Sequence, residues 1–227
     1  MSTAGQTAGR EDPSERPPEY RYGAVLLLTL LSLVFVIVAP SADWSRAVAL
    51  LIESAALLVA VGTARAPRAV RRRRTEVGGL LAIVVVFAVT LSAVRELDFL
   101  LSGLIAGAIP VAIVGGLLSL VRERGVTLQA VAGALAIYLT VGLMFAWLIG
   151  FVARLGSTPY FAQGIDGTES DRVYYSFTVL TTTGFGDFTA ATHLGRALAV
   201  IEMLVGQIYL VTVIGVLVGN FVGRQRS

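Results

Sequence analysis

The sequence predicts an all-α membrane protein of six transmembrane helices, with a short re-entrant helix and loop between the fifth and sixth. Three observations carry this reading. Of 227 residues, 56% are hydrophobic and 15% charged, and mean hydropathy is +0.78. A soluble domain needs about 25% charged residues to solvate its surface. Apolar stretches recur at 23–39, 47–64, 77–94, 99–121, 128–153 and 197–222, each near the ~20 residues that cross a bilayer core. The segments between them are short, with one exception at 154–196.

Composition also excludes whole classes. A cytosolic enzyme, a disordered chain and a secreted disulfide scaffold do not fit. Cys is absent and His193 is the only histidine, so neither a thiolate site nor a histidine metal cluster is available, and no cofactor is expected. His193 itself reads as a solvated interfacial residue. The net charge of +3 does not imply nucleic-acid binding. Every basic residue is Arg, and arginine positions in such a chain follow membrane topology.

Residues 1–22 are polar, with Pro13, Pro17 and Pro18 among mixed charges, and read as a flexible cytoplasmic tail. The stretch 23–39 exceeds the 7–15 apolar residues of a signal peptide, which argues against a leader cut near Ala42. Glu53 interrupts the second stretch and says little by itself. The run Arg71–Arg74 reads as the strongest topology anchor, held against anionic headgroups at about 1 kcal/mol per Arg. A regulatory anionic-lipid site there is the alternative. With the N-terminus inside, thirteen arginines fall on the cytoplasmic side and five outside. Both termini are therefore expected in the cytoplasm of a multi-pass protein of the cell membrane. The expected units are the tail 1–22, a four-helix region 23–124 and a second unit 125–227.

The long segment 154–196 holds the chemistry. After a Ser170 or Thr168 cap with acidic residues in the first turn, about 11 amphipathic residues follow. They are too few to span, so the chain enters and returns. Backbone outside helical pairing at membrane depth is tolerated where it is buried or lines a water-filled path. Next comes Thr181-Thr182-Thr183-Gly184-Phe185-Gly186-Asp187. A dehydrated potassium ion must recover a hydration shell from oxygen ligands, and rows of backbone carbonyls bind it weakly enough for release. Aiming successive carbonyls at one axis requires alternate residues in dihedrals that a Cβ disfavours. Gly184 and Gly186 supply that freedom, Thr182 can add a hydroxyl, and the helix's negative dipole end favours a cation.

The run Thr182 to Asp187 resembles the potassium-channel signature, a Thr-Val-Gly-Tyr-Gly-Asp pattern. The likeness extends over about 128–226. Tyr174 and Tyr175 stand where that family places pore-helix aromatics that brace the filter. Gly195-Arg196 follows the filter, Gly206 lies 19 residues after Asp187 at the inner-helix hinge glycine, and Phe221-Val222-Gly223-Arg224 resembles the inner-helix end. The resemblance implies that Thr182, Thr183, Gly184 and Phe185, with Gly186 completing the filter, coordinate K+, and that Asp187 stabilises the outer mouth. It makes 125–227 a pore domain and 23–124 a voltage-sensor-like region. Thr183 and Phe185 depart from the usual Val and Tyr.

The last stretch should line the pore. Gln207, Leu210, Val211, Ile214 and Val218 share one helical face at spacings of three and four, although ordinary helix packing produces the same stripe. Glu202 lies about 140° from that face. An ionisable residue at membrane depth needs a partner, and Thr178, Ser176 and Tyr175 behind the filter are the candidates. Its role is read as either functional filter support or a structural helix contact.

The implied protein is a homotetrameric, bacterial, potassium-selective channel with no chemical step, since one chain supplies one filter strand. Voltage gating is not expected. The fourth stretch, Phe99 to Val121, carries no charge and contains Pro110, whereas a sensor moves several charges through the field. The chain ends at Ser227, five residues past Val222, so no cytoplasmic gating domain is expected. A non-selective cation channel is the nearest rival. A potassium-uptake transporter subunit is disfavoured by the single loop, and an enzyme by the lack of convergent His, Cys or paired carboxylates.

Overall fold

The computed structural model describes residues 21–63, 107–111, 113–114, 117–118, 120–121, 125–217 and 219. The tail, Arg71–Arg74, the third apolar stretch and Val218 lie outside the described residues, as do parts of the fourth stretch. The described chain is helical, with one isolated bridge between Phe161 and Ala190.

Helix α1 covers Tyr22–Val38 and α2 covers Asp43–Thr63. A tight turn joins them. Ser45 Oγ donates toward the carbonyls of Pro40 (2.6 Å) and Ala42 (2.7 Å), which folds the turn onto the first residues of α2. The described residues between 107 and 121 are helical and pack Ile109, Ile113, Leu117 and Leu120 against α1 and α2. Helix α3, Leu128–Leu155, begins where the Thr127 side chain accepts from the Ala130 amide. At 1.5 Å per residue its 28 residues reach about 42 Å. That length exceeds a bilayer's hydrocarbon core.

Helix α4 is short, Glu169–Leu180. Of the two caps the sequence allowed, Thr168 is used. Its hydroxyl accepts from the Asp171 amide, while the Asp171 carboxylate accepts from the Thr168 amide, a reciprocal capping box. Helix α5 covers His193–Tyr209 and continues through a π turn at Leu210–Ile214. It starts four residues before the apolar stretch because Thr192 caps it, accepting from the Gly195 amide. Three of the described helical runs are long and apolar enough to cross a membrane: Trp44–Gly62, Leu128–Leu155 and His193–Leu217. Tyr22–Val38 is an apolar helix of shorter length.

Helix α4 sits among α1, α3 and α5. Val173 of α4 meets Val36, Ala49, Leu143 and Ala146 in one buried cluster that joins four helices. On its other side Tyr175 and Val179 meet Ile149, Tyr160, Phe161 and Ala199. The chain leading into α4 pairs with the chain leading out of the loop. The Ala162 amide donates to Thr189 O, and the Ala191 amide to Tyr160 O. Residues 163–188 therefore depart from and return to one level of the molecule.

Candidate functional site

The site is the strand that follows α4. A helix leaves its last carbonyls unpaired, and here the next residues take them. The Thr182 amide donates to Val179 O (2.9 Å), and the amides of Thr183 (2.8 Å) and Gly184 (3.1 Å) both donate to Thr178 O. These three amides are thus turned toward α4. The strand's carbonyls are not: among the described residues no hydrogen bond uses the carbonyl of Thr182, Thr183, Gly184, Phe185 or Gly186. Backbone handedness alternates over the same residues. Thr182 (φ 58°), Gly184 (φ 53°) and Gly186 (φ 82°) are left-handed, while Thr183 and Phe185 are not. Gly184 and Gly186 fill their positions without steric cost. Thr182 is the only described non-glycine residue with positive φ, a conformation costing roughly 1–2 kcal/mol for a residue with a Cβ. Such strain persists where its surroundings over-determine it.

The threonines form a chain of their own. Thr181 Oγ1 donates to Phe177 O (2.6 Å), so the 2.8 Å contact between the Thr181 and Thr183 hydroxyls is completed by the Thr183 hydrogen. Thr183 is thereby turned back toward the helix.

Aromatic rings brace the strand from one side. Tyr174 stacks on Phe185, with ring centroids 6.3 Å apart and planes 5° apart. Its hydroxyl faces the Asp187 carboxylate, and that polar contact first, then desolvation and the carboxylate's charge, holds the phenol above its ordinary range. Tyr175 is buried against Tyr160 and Phe161, and burial pushes the Tyr160 hydroxyl up as well. Gln163 Nε2 donates to Asp187 O. Tyr160, Phe161 and Gln163 were not picked out by the sequence pattern. Their only local signal is their place in the one long inter-helix segment.

Behind the strand Glu202 is fully buried (0% exposed). Its partner is Ser176: Oγ lies 2.5 Å from Glu202 Oε1 and 2.7 Å from Gly142 O. A hydroxyl has one hydrogen, so Ser176 joins α5, α4 and α3 through one shared proton. Of the other two candidates, Thr178 donates to Tyr175 O and the Tyr175 ring packs against Tyr160 and Phe161. Tyr138 of α3 donates to Leu180 O (3.3 Å).

Gly206 is in close contact with the end of α4. A Cβ there would overlap the Leu180 carbonyl oxygen and lie 2.9 Å from Leu180 Cδ1. Its backbone is right-handed, so its glycine character serves close approach in this conformation. Along the predicted lining stripe, Gln207 and Val211 are exposed and Leu210 is half-buried. Ile214 packs against the cluster formed by α1, α2 and α3. The π turn explains the split, because i→i+5 pairing adds a residue to one turn and rotates the face beyond it. An open groove of about 580 Å³ separates the strand from α5, lined by Thr178, Gly184, Gly186, Val200 and Met203 among others.

Residues 133–222 match a protein-family model described as "Ion channel". The match runs from α3 through α4 and the strand to the last stretch. A 68-residue segment is 37% identical to "Probable potassium channel protein 2" of Methanocaldococcus jannaschii. Over that stretch the chain is similar to ion channels. That alignment covers 30% of this chain and 16% of the archaeal protein, so the chain spans about one sixth of that relative. No solved structure matches the chain. The described chain is helical, with three helical runs long and apolar enough to cross a membrane, and most of α3, with α4, the strand and α5, lies inside the matched segment.

Proposed function

We propose that this protein is a potassium-selective channel, conducting K+ passively through a ring of backbone carbonyls contributed by four identical chains. The observation that carries the proposal is the split between amides and carbonyls at Thr182–Gly186. The amides of Thr182, Thr183 and Gly184 are committed to α4, the carbonyls of Thr182–Gly186 are uncommitted, and handedness alternates at 182, 184 and 186. Uncharged oxygens in a row suit a cation that must bind and leave quickly. In this reading Thr182, Thr183, Gly184, Phe185 and Gly186 hold the ion. Asp187, Tyr174, Tyr175, Thr178 and Glu202 support them, and Gln207 and Leu210 belong to the wall below.

One chain cannot close a ring. Phe185 is 69% exposed, and Val200, Ile201, Leu204 and Ile208 form an exposed apolar face on α5. Burying that face and the open groove against further copies supports a homotetramer. Pairing of the segment's two ends supports a re-entrant loop, entering and leaving on the side opposite the two cytoplasmic termini. The six-span count rests on the apolar stretches at 77–94 and 99–121, the tail 1–22 is cytoplasmic, and Arg71–Arg74 face anionic lipid. The uncharged fourth stretch supports gating by something other than voltage. The test is purified protein in liposomes, comparing K+ and Na+ flux with and without barium. Barium-blocked K+ flux well above Na+ flux is expected, and equal fluxes would favour a non-selective cation channel.

A further inference from the structure

The capping box leaves two residues of the first turn of α4 without a local task. Thr168 and Asp171 satisfy each other and the helix start, so Glu169 and Ser170 are not needed as caps. Both instead reach the α1–α2 hairpin. Glu169 Oε1 forms ion pairs with two guanidinium groups, Arg46 Nε of α2 at 3.1 Å and Arg172 of its own helix at 3.4 Å. Ser170 Oγ donates to Ile37 O (3.1 Å), a carbonyl in the last turn of α1 that has no partner within its helix. Arg172 also donates to the carbonyls of Gly167 (2.7 Å) and Asp166 (3.2 Å), which fixes the chain just before the helix. Beneath this polar layer, Val173 packs on Val36 and Ala49 of the same hairpin. The side chains of Arg46, Glu169 and Arg172 are 21%, 13% and 7% exposed, so their attraction is screened less than that of a surface pair.

The two ends of α4 are thus held by different parts of the molecule. Gly206 of α5 and Tyr138 of α3 fix the Leu180 end, and the hairpin fixes the Glu169 end. We infer that the α1–α2 hairpin is a fixed brace for the helix that carries the carbonyl strand, with Arg46 and Glu169 as positioning residues for that strand. Helix α4 has 12 residues, a lever of about 18 Å, so a tilt at Glu169 is delivered to Thr181 and Thr182. The hairpin's state therefore sets the geometry of the carbonyl row without any of its residues touching the ion. This inference rests on the channel reading for its consequence, but the brace itself is a property of the fold.

A double-mutant cycle separates the two. Hydrogen exchange of α4 amides is measured in purified full-length wild type, Arg46→Gln, Glu169→Gln and the double variant, with K+ flux in liposomes in parallel. Arg46→Gln should speed exchange across Val173–Thr178 roughly fivefold, as loss of one partly buried pair implies, and lower K+ flux. Glu169→Gln should do at least as much, because it also releases Arg172. The double variant should exchange no faster than Glu169→Gln alone. Ser170→Ala, which leaves every charge in place, should speed the same amides by a smaller factor. Unchanged exchange in Arg46→Gln, or a double variant equal to the product of the two single effects, would overturn the brace. Wild type that passes no K+ would contradict the channel reading while leaving the exchange comparison valid.

Discussion

Gly206→Ala is the sharpest perturbation of the helix that carries the strand. The added methyl would overlap the Leu180 carbonyl oxygen, and its next neighbours are Leu180 Cδ1 at 2.9 Å and the Leu180 carbonyl carbon at 3.1 Å. Unstrained carbon contacts need about 3.5–4.0 Å, so the end of α4 must retreat from α5 by about 1 Å. Two of the three obstructing atoms are backbone, so no rotamer change relieves them. Leu180 O also accepts from Tyr138, and that bond would be stretched by the same movement. Overpacking of this kind costs about 1–3 kcal/mol per site. Each chain would thus lose about 1–3 kcal/mol of the 5–15 kcal/mol stability of a typical domain, and a ring of four copies would carry the strain at four contacts. Gly215→Ala is the control, since its nearest obstruction is 3.8 Å away and alanine favours a helix by up to about 1 kcal/mol over glycine. Tetramer fraction by size exclusion and thermal melting in mild detergent should fall sharply for Gly206→Ala and stay level for Gly215→Ala. Equal melting of Gly206→Ala and wild type would refute the close-contact account and leave a flexible hinge as the role of this glycine.

Three further outcomes are expected. Glu202→Gln should keep both assembly and flux, because its amide can donate to Ser176 and leave the Ser176 hydrogen for Gly142 O. Glu202→Ala leaves Ser176 bonded to Gly142 O but empties the space of a fully buried side chain, and should cost about 2–5 kcal/mol in melting experiments. Gly184→Ala should leave a tetramer, since nothing lies within 4 Å of the added Cβ, yet abolish selective flux because φ of 53° disfavours a side chain; unchanged selectivity would place the filter elsewhere. Tyr174→Phe should destabilise the protein relative to wild type at neutral pH and converge with it in alkali. The phenol's folded value is raised by its contact with Asp187, so its contribution is complete below the free phenol's pKa of about 10 and is lost as pH rises through the folded value. A difference that persists at high pH would remove Asp187 as its cause.

Much of the architecture is written in local pattern. Apolar runs give α1 and α3 to within a few residues, and a Thr-x-x-Asp box opens α4. The starts of α2 and α5 lie upstream of their apolar runs, because a turn stapled by Ser45 and a cap at Thr192 let polar residues begin those helices. Alternating handedness at Gly184 and Gly186 follows from residue type. Thr182 does not, since its conformation is imposed by the bonds that tie 182–184 back to α4. Gly206 is readable as a special position, but whether it bends or permits contact depends on Leu180, 26 residues away. The π turn at Leu210–Ile214 has no periodic signature and redirects the face that a 3.6-residue repeat extrapolates through it. The Arg46–Glu169 pair joins residues 123 apart, and neither is distinguished in sequence from an ordinary interfacial charge.

The central claim is that the uncommitted carbonyls of Thr182–Gly186 select K+. It is tested most directly by the reversal potential of purified protein in a planar bilayer with K+ on one side and Na+ on the other. Each tenfold of selectivity displaces that potential by about 59 mV, and a displacement beyond this value, of the sign that K+ current dictates, is the result the account predicts. A reversal potential at zero, with current still carried by the protein, would contradict it.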